Sequence, residues 1–411
     1  MRVLFVGGGS AQQPRLRRIA QNVSSVVLCR ASVLEWVHQL PENEAVVILN
    51  DDADLDKWLA AGRYLHRQWP LDAVAALAEI DQDKAAAIAE DLGLRFHARA
   101  TVQAVHDKTF MRERLRASGL EDVPFRQVAS LEQLKDFYGE VGPPLLLKPS
   151  RGRASTGIAT ARDETQLAAA FDLASGATAP RLEPSPPIAE RYVEGPEFSV
   201  EAVTHDGHHY IFAIVEKFKE EISKVETGHL VPARISPETA QALVAHVRRC
   251  LSALGVQHGI THSELILGVD GPFLVETHLR QAGDSIVPLT ESATGVDICD
   301  LHLRQIVGED LAALPDVAAR AQAPQYIAGS AIGFLVPDAA GRLDGIDGLD
   351  EARQVDGVVE VKQLVPDGTA VDGLTSSYSR LASVRADAAD GDGALKRVEE
   401  ALALLRVRIV P

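Results

Sequence analysis

The first hundred residues alternate short apolar runs with longer amphipathic segments. The runs Val3–Val6, Val26–Leu28 and Ala45–Leu49 are typical of buried strands. The segments Ser32–Leu40 and Asp72–Leu92 carry apolar residues at a spacing that is typical of helices. Strands that alternate with helices favour βαβ units, so we predict an α/β domain with a parallel sheet.

A glycine run, Gly7 to Gly9, follows the first predicted strand and suggests a dinucleotide site. The dinucleotide pattern GxGxxG is not met, because Gln12 stands at the position of the third glycine. Arg30 ends the second strand, where an NAD site needs an acidic residue for the ribose. We therefore interpret the glycines as a tight turn.

The rest of the chain has a mixed pattern of strands and helices. A helix is predicted to start at His106-Asp107-Lys108, to carry Met111 and Leu115 on one face and to stop at Gly119. The other predicted elements of the middle region are strand Leu145–Pro149, a linker or long loop Ala174–Pro187, strands Ile188–Val193, Glu197–Thr204 and Tyr210–Val215, and helix Pro237–Leu254. The last hundred residues show an α+β pattern with strand Val358–Leu364, helix Ala394–Leu405 and strand Val407–Val410.

The most informative pattern is a predicted hairpin. Strands His262–Leu267 and Phe273–Leu279 flank a glycine turn, and a hairpin centred on Asp270 sets Glu264 opposite Glu276. Two carboxylates that face each other within apolar strands are costly to bury unless a cation lies between them. Magnesium, which prefers carboxylates, phosphate oxygens and water, is the natural cation. The alternative is a solvated face on which both glutamates point to water.

Two lysines precede segments that suit phosphate binding. Lys108 begins a helix, and Lys148 ends a buried apolar strand, where a lysine is hard to bury without an anion. The loop Ser150–Gly157 contains small residues and can fold over phosphates with its backbone amides. The P-loop pattern GxxxxGK[ST] is absent, and an ordinary surface turn is the alternative for this loop.

Further polar residues are weaker candidates. The segment Glu190–Glu201 joins two strands through a Gly-Pro turn and carries carboxylates that can accept hydrogen bonds from a ligand. Charged residues on an exposed hairpin are the alternative. His229 lies beside a glycine turn, and a lone histidine is usually structural.

Composition limits the class of protein. The chain has 411 residues, 46% hydrophobic and 24% charged, which excludes a disordered or fibrous protein and indicates two or three domains. Its 41 basic and 58 acidic residues give a net charge of −17, which argues against a nucleic-acid partner. No apolar run approaches the roughly 20 residues of a membrane span. Three widely spaced cysteines, Cys29, Cys250 and Cys299, favour buried thiols in a cytoplasmic protein.

The order of these features resembles the ATP-grasp superfamily of carboxylate–amine ligases. The features that carry the resemblance are Asp107-Lys108, Lys148 with its loop, Glu190–Glu201, Glu264 and Glu276-Thr277-His278-Leu279-Arg280. The segments Gly228–Ala233 and Arg280–Asp284 are similar to those of amino-acid ligases that form dipeptides and amides. The resemblance implies three domains: a Rossmann-like domain (1–101), an ATP-grasp domain (102–312, with lobes 102–186 and 187–312) and a C-terminal α+β domain (313–411).

The resemblance also implies roles for individual residues. The residues expected to bind ATP are Lys108, Lys148, Ser155, Gly157, Glu190, Val193 and Glu197. Glu264 and Glu276 would hold magnesium, or manganese, with His278 as a further candidate. The residues expected at the reacting groups are Arg280, His229 and Asp284, the last two as candidates for a general base. His278 stands where the family usually has asparagine, and imidazole is a ligand that magnesium does not favour.

The implied activity is ATP-dependent amide formation from a small carboxylate and an amine of amino-acid type. It would pass through an acylphosphate and release ADP and phosphate, and homodimers are frequent among such enzymes. One alternative is a biotin-carboxylase-like enzyme, whose Glu-His pair after the arginine is missing here. The other alternative is a nucleotide-binding module without catalysis.

Overall fold

The computed structural model describes residues 1–8, 12–152, 156–177, 185–221 and 223–410. Within these ranges the strands form four sheets, of four, eight, three and four strands. None of the helices described is long and apolar enough to cross a membrane. The sheets and the helices between them position the candidate site residues.

A parallel sheet at the amino terminus confirms the predicted α/β pattern. Its elements are β1 (Arg2–Val6), α1 (Gln12–Ile19), β2 (Ser24–Arg30), β3 (Ala45–Leu49), α2 (Leu55–Gln68), β4 (Ala73–Ala75), α3 (Gln82–Leu92) and α4 (Arg99–His106). The strand order is β3-β2-β1-β4, and neighbouring strands are parallel. Leu4, Leu28 and Trp58 are fully buried in the core that the sheet forms with its helices. Gly7 turns the chain after β1 at φ +80°, whereas Gly9 lies outside the described residues.

Two predicted helical segments of this domain are wrong in detail. Over Ser32–Leu40 the chain forms a short 3-10 helix, Ala31–Trp36, and a second one, Leu40–Glu42, begins after Gln39, which adopts a left-handed conformation at φ 51°. The segment Asp72–Leu92 divides into β4 and α3, because Asp81 turns the chain at φ 67° directly before the helix. Amphipathic spacing therefore indicated buried faces here but not continuous helices.

The next region forms a small sheet covered by helices. Its elements are α5 (Lys108–Ala117), β5 (Phe125–Gln127), α6 (Leu131–Val141), β6 (Leu145–Pro149), β7 (Ala159–Ala161), α7 (Leu167–Ser175) and β8 (Pro187–Arg191). The strand order is β5-β8-β6-β7, so β8, which follows the predicted end of the first lobe at residue 186, pairs with β5 and β6. Helix α5 begins as predicted, because the Asp107 carboxylate accepts a hydrogen bond from the Thr109 amide (3.0 Å). Part of the predicted linker Ala174–Pro187 lies outside the described residues.

An eight-stranded antiparallel sheet runs through the rest of the chain. Its strands are β9 (Glu197–His205), β10 (His208–Lys219), β11 (Glu226–Val231), β12 (Gly259–Gly268), β13 (Gly271–His278), β14 (Gly329–Leu335), β16 (Val358–Gln363) and β18 (Ala382–Ala388). The helices of this part are α8 (Pro237–Ala253), α9 (Ile286–Thr294), α10 (Ile298–Ile306), α11 (Pro315–Ala318), α12 (Leu349–Arg353) and α13 (Gly391–Leu402). A three-stranded sheet of β15 (Ala340–Asp347), β17 (Ala370–Asp372) and β19 (Arg406–Val410) completes it.

The eight-stranded sheet continues across the predicted domain boundary at residue 312. Its strand order is β13-β12-β9-β10-β11-β14-β18-β16, so β14 of the C-terminal region pairs directly with β11. The predicted strands and helix of the last hundred residues are present as β16, α13 and β19. The second lobe and the C-terminal region therefore share one sheet.

We expect the three thiols to be protected in the folded protein. Cys29, Cys250 and Cys299 are buried free thiols, as the sequence predicts. Burial raises the pKa of Cys29 to about 11 and that of Cys299 to about 12, so neither thiolate forms near neutral pH. A disulfide reagent should label all three in denaturant and leave them unreacted in buffer. Rapid labelling of the native protein would contradict this burial.

Candidate active site

A cavity of about 340 Å³ lies between the first lobe's sheet and the eight-stranded sheet. Leu146, Ile266 and Phe273 give it apolar walls, and Lys148 and Lys217 add positive charge. Ligand pockets span roughly 300–1,000 Å³, so the volume suits a small molecule. Apolar walls can hold a flat base, and ammonium groups bind phosphate oxygens. The cavity therefore offers what a nucleoside phosphate needs.

Lys148 lies in a buried network of ion pairs. Its Nζ is 2.8 Å from Glu190 Oε2, and Arg112 Nε donates to Glu190 Oε1 at 2.7 Å. Burial alone would raise the pKa of Glu190, but the charges of Arg112 and Lys148 hold that pKa at about 2. Glu190 is therefore a carboxylate that fixes the Lys148 ammonium at the cavity wall.

The other residues predicted to bind the nucleotide differ in their placement. Val193 and Glu197 line the cavity, and Glu197 forms an ion pair with Lys219. Glu190 also lines it, but its two oxygens are engaged by cations, which disfavours the predicted contact with adenine. Gly157 turns the chain at φ +76° just before β7, while Ser155 lies outside the described residues.

The hairpin of β12 and β13 sets Glu264 opposite Glu276, which confirms the predicted pairing. The predicted centre at Asp270 is wrong by half a residue, since Gly268 pairs with Gly271 around a two-residue turn. A β-bulge restores the alignment: Leu265 pairs with Leu274, and the next pair is Glu264 with Glu276, which leaves Val275 as an extra residue on β13. Both Val275 and Glu276 consequently line cavities, whereas Leu274 packs in the core.

Each of the two opposed carboxylates is surrounded by cationic groups. Glu264 Oε2 lies 2.9 Å from Lys217 Nζ, and Glu276 Oε2 lies 2.7 Å from Lys108 Nζ. Burial works against ionisation, but these lysines keep the pKa of both glutamates well below the usual range. Lys108, predicted to contact phosphate, is therefore placed at the carboxylate pair.

The carboxylate pair has the donor atoms of a divalent-cation site, and a bound cation would replace the contacts of Lys217 and Lys108 with these oxygens. Glu264 and Glu276 are ionised oxygen donors on neighbouring strands, and both face a second cavity of about 270 Å³. Hard oxygen donors of this kind suit magnesium or manganese. His278 fits less well, because its Nε2 lies 3.3 Å from Glu276 Oε1 and its Nδ1 lies 3.2 Å from Glu79 Oε2. A ring held between two carboxylates favours the protonated form, which cannot ligate a metal.

The second cavity contains the three residues predicted to act on the reacting groups. Arg280, His229 and Asp284 all line it, together with Lys217, which also lines the first cavity. The two cavities therefore meet at Lys217. Arg380 donates to both Asp284 oxygens, at 2.8 Å and 2.6 Å, and His229 Nε2 lies 3.6 Å from Oδ2. Burial would raise the pKa of Asp284, but His229 and Arg380 hold that pKa well below the usual range. This ion pair disfavours Asp284 as a general base.

A third cavity, of about 440 Å³, lies on the other side of Arg280. It is lined by Gly8 after β1 and by Leu77 and Ala78 after β4. Strands β1 and β4 are neighbours at the point where the strand order reverses, and α/β sheets bind ligands beyond the carboxyl ends of such strands. Arg280 lines both the second and the third cavity, so it can contact ligands in either.

Several residues of this arrangement were not predicted. Lys217 on β10 contacts Glu264, Glu79 contacts Arg280, and Arg380 comes from the C-terminal region. The sequence carried one usable indication: Lys217 interrupts the apolar side of a strand whose alternate residues, such as Ala213 and Val215, are buried. Glu79 and Arg380 lie in irregular segments, where no periodicity indicates a site.

Comparison with known proteins identifies two regions of the chain. Residues 141–288 match the ATP-grasp domain model, and residues 333–410 match the model of the L-amino acid ligase C-terminal domain 2. An uncharacterised protein y4rH of Sinorhizobium fredii is 26% identical over 78% of this chain and 65% of its own length. The alanine–anticapsin ligase of Bacillus subtilis strain 168 is 27% identical over 62% of this chain and 58% of its own length.

A solved structure shows the same architecture over the whole chain. The L-amino acid ligase of Bacillus licheniformis superposes with a TM-score of 0.81 at 20% identity, covering 100% of this chain and 99% of that one. The predicted ATP-grasp fold is therefore confirmed. The sequence matches to y4rH and to the alanine–anticapsin ligase cover less than two thirds of the length of those two proteins. Residues 141–288 therefore form an ATP-grasp domain, and residues 333–410 form a domain of the type named L-amino acid ligase C-terminal domain 2.

Proposed function

We propose that this protein is an ATP-dependent carboxylate–amine ligase that joins two amino-acid-like substrates. The observation that carries the proposal is the junction of two cavities at Lys217, beside the opposed carboxylates Glu264 and Glu276. A nucleotide in the first cavity would direct its phosphates toward the second, where Arg280 and His229 lie. The relatives named as amino-acid ligases support the same reaction class.

In the proposed reaction, a substrate carboxylate attacks the γ-phosphorus of ATP and forms an acylphosphate and ADP. The amine of the second substrate then attacks the acyl carbon, phosphate leaves, and the nitrogen loses a proton. Activation replaces a poor leaving group by a good one, which divides one hard step into two easier ones. A divalent cation at Glu264 and Glu276 would supply charge neutralisation for the phosphates.

The residues of this chain have distinct parts in the proposed mechanism. Lys148 and Lys217 bind phosphate oxygens, and Arg280 orients the substrate carboxylate between the second and third cavities. His229 is better placed than Asp284 to accept the proton, because Arg380 occupies both Asp284 oxygens. The substrate carboxylate would bind on the third-cavity side of Arg280, and the amine on the side of His229.

A screen of amino-acid pairs with ATP and magnesium tests this function. We expect ADP and phosphate in a one-to-one ratio with an amide that mass spectrometry detects. AMP and pyrophosphate would instead indicate adenylation, and turnover that requires bicarbonate would indicate a carboxylating enzyme. Nucleotide binding without turnover across the screen would favour a non-catalytic module. The Gln281-Ala282-Gly283-Asp284 segment, which lacks a Glu-His pair, argues against the carboxylating alternative.

A further inference from the structure

One buried arginine contacts the bulged part of β13. Strand β13 is the outermost strand of the eight-stranded sheet, so its outer backbone groups have no neighbouring strand. Arg112 Nη1 donates to the Leu274 carbonyl at 2.6 Å, and Nη2 donates to the Val275 carbonyl at 3.2 Å. The Leu274 amide donates to Glu121 Oε1 at 2.6 Å. The Arg112 and Glu121 side chains therefore supply hydrogen bonds that a neighbouring strand would otherwise make at the bulge.

The same arginine reaches the wall of the nucleotide cavity. Its Nε bonds to Glu190, the partner of Lys148, and its Nη1 also donates to Glu121 Oε2 at 3.1 Å. Its guanidinium lies 4.2 Å from the centre of the Phe273 ring. Arg112 is only 2% exposed, so it has no contact with a ligand in either cavity. It therefore connects Lys148 to the hairpin through contacts that a planar guanidinium can make together.

We propose that Arg112 is a positioning residue that holds the bulge at Val275 and thereby keeps Glu276 opposite Glu264. If the extra residue were not held, the ladder would continue in the register that it has at the turn. Val275 would then face Glu264, and Glu276 would turn to the opposite side of the sheet. The inference rests on the proposed function only for the identity of the cation and the nucleotide.

Arg112→Lys tests the proposal. Lysine keeps the positive charge between Glu121 and Glu190, but a single ammonium cannot reproduce the fork that bonds both carbonyls. Mn²⁺ binding in the presence of ADP is measured by the paramagnetic resonance of the free ion, and ADP binding without metal by calorimetry. We expect metal affinity to fall by about 10- to 100-fold, as for other residues that orient metal ligands. ADP affinity without metal should fall much less.

Arg126→Lys is the matched control. Arg126 also donates to a carboxylate, that of Glu140, at 3.1 Å and 2.7 Å, and lies 5.2 Å from the Phe137 ring centre, but on the surface. It should leave metal affinity unchanged. Equal metal affinity for Arg112→Lys and Arg126→Lys would overturn the proposal. So would an Arg112→Lys variant whose thermal stability falls while its metal affinity stays unchanged.

Deletion of Val275 gives a second test, which does not rest on the Arg112→Lys variant by itself. Without the extra residue, a regular ladder sets Glu276 opposite Glu264, so the deletion should retain Mn²⁺ binding and make it insensitive to Arg112→Lys. A deletion variant that folds but binds no metal would contradict the inference. Wild-type protein that binds no Mn²⁺ with ADP would overturn the proposed function itself, and this inference with it.

Discussion

Glu276→Gln should lose nearly all of the proposed ligase activity while it keeps the fold. Glutamine has almost the same size, but it removes one of two ionised donors that face each other across the hairpin. It also leaves the Lys108 ammonium, 2.7 Å from the carboxylate, without its ionic partner. A weaker hold on the cation that would neutralise the transferring phosphoryl oxygens should lower kcat by about 10²- to 10³-fold. The rate of ADP formation at saturating ATP and magnesium measures this effect.

Glu140→Gln is the control for that experiment. Glu140 is likewise paired with an arginine, Arg126, but the pair lies on the surface of the first lobe. Its replacement should leave the rate unchanged, because exposed ion pairs contribute little. Normal magnesium-dependent ADP formation by Glu276→Gln would remove the metal role of this residue.

Lys148→Met should weaken nucleotide binding more than it changes stability. Methionine keeps much of the lysine's apolar length, and Arg112 still neutralises Glu190 at 2.7 Å. Loss of a hydrogen bond to a charged phosphate costs about 1.5–3 kcal/mol, which is roughly a 10- to 100-fold loss of affinity. Calorimetric titration with ADP and magnesium measures it.

Lys135→Met makes the same replacement at an exposed position of α6. ADP affinity should be unchanged in this control. If Lys148→Met binds ADP as tightly as the control does, Lys148 has no contact with the phosphates, and its network with Glu190 serves the fold alone.

Residue spacing alone predicted one local part of the site, whereas the family resemblance supplied the candidates from distant segments. The pairing of Glu264 with Glu276 follows from a hairpin whose two strands and turn are adjacent in the chain. The turn centre was misplaced, and the bulge at Val275 compensated for it. A bulge depends on contacts from elsewhere, here from Arg112 on α5, and hairpin spacing cannot reveal it.

Glu79 and Arg380, which distant segments bring to the site, escaped prediction for the same physical reason. Glu79 reaches Arg280 from the loop after β4, and Arg380 reaches Asp284 from beyond β17. Periodicity describes how one segment buries its own face and contains nothing about which other segment packs on it. Asp284 was one of two candidates for the general base, and its ion pair with Arg380 is a contact that local sequence does not reveal.

The continuous ladder from β11 into β14 means that the carboxyl-terminal quarter is no detachable module. A C-terminal region grafted from a relative would have to pair with β11 as well as pack its own core. A chain that ended before β14 would leave the backbone groups of β11 unpaired on that side, where another copy could bind. Recombination among proteins of this fold is thus expected to exchange the second lobe and the carboxyl-terminal region as one block.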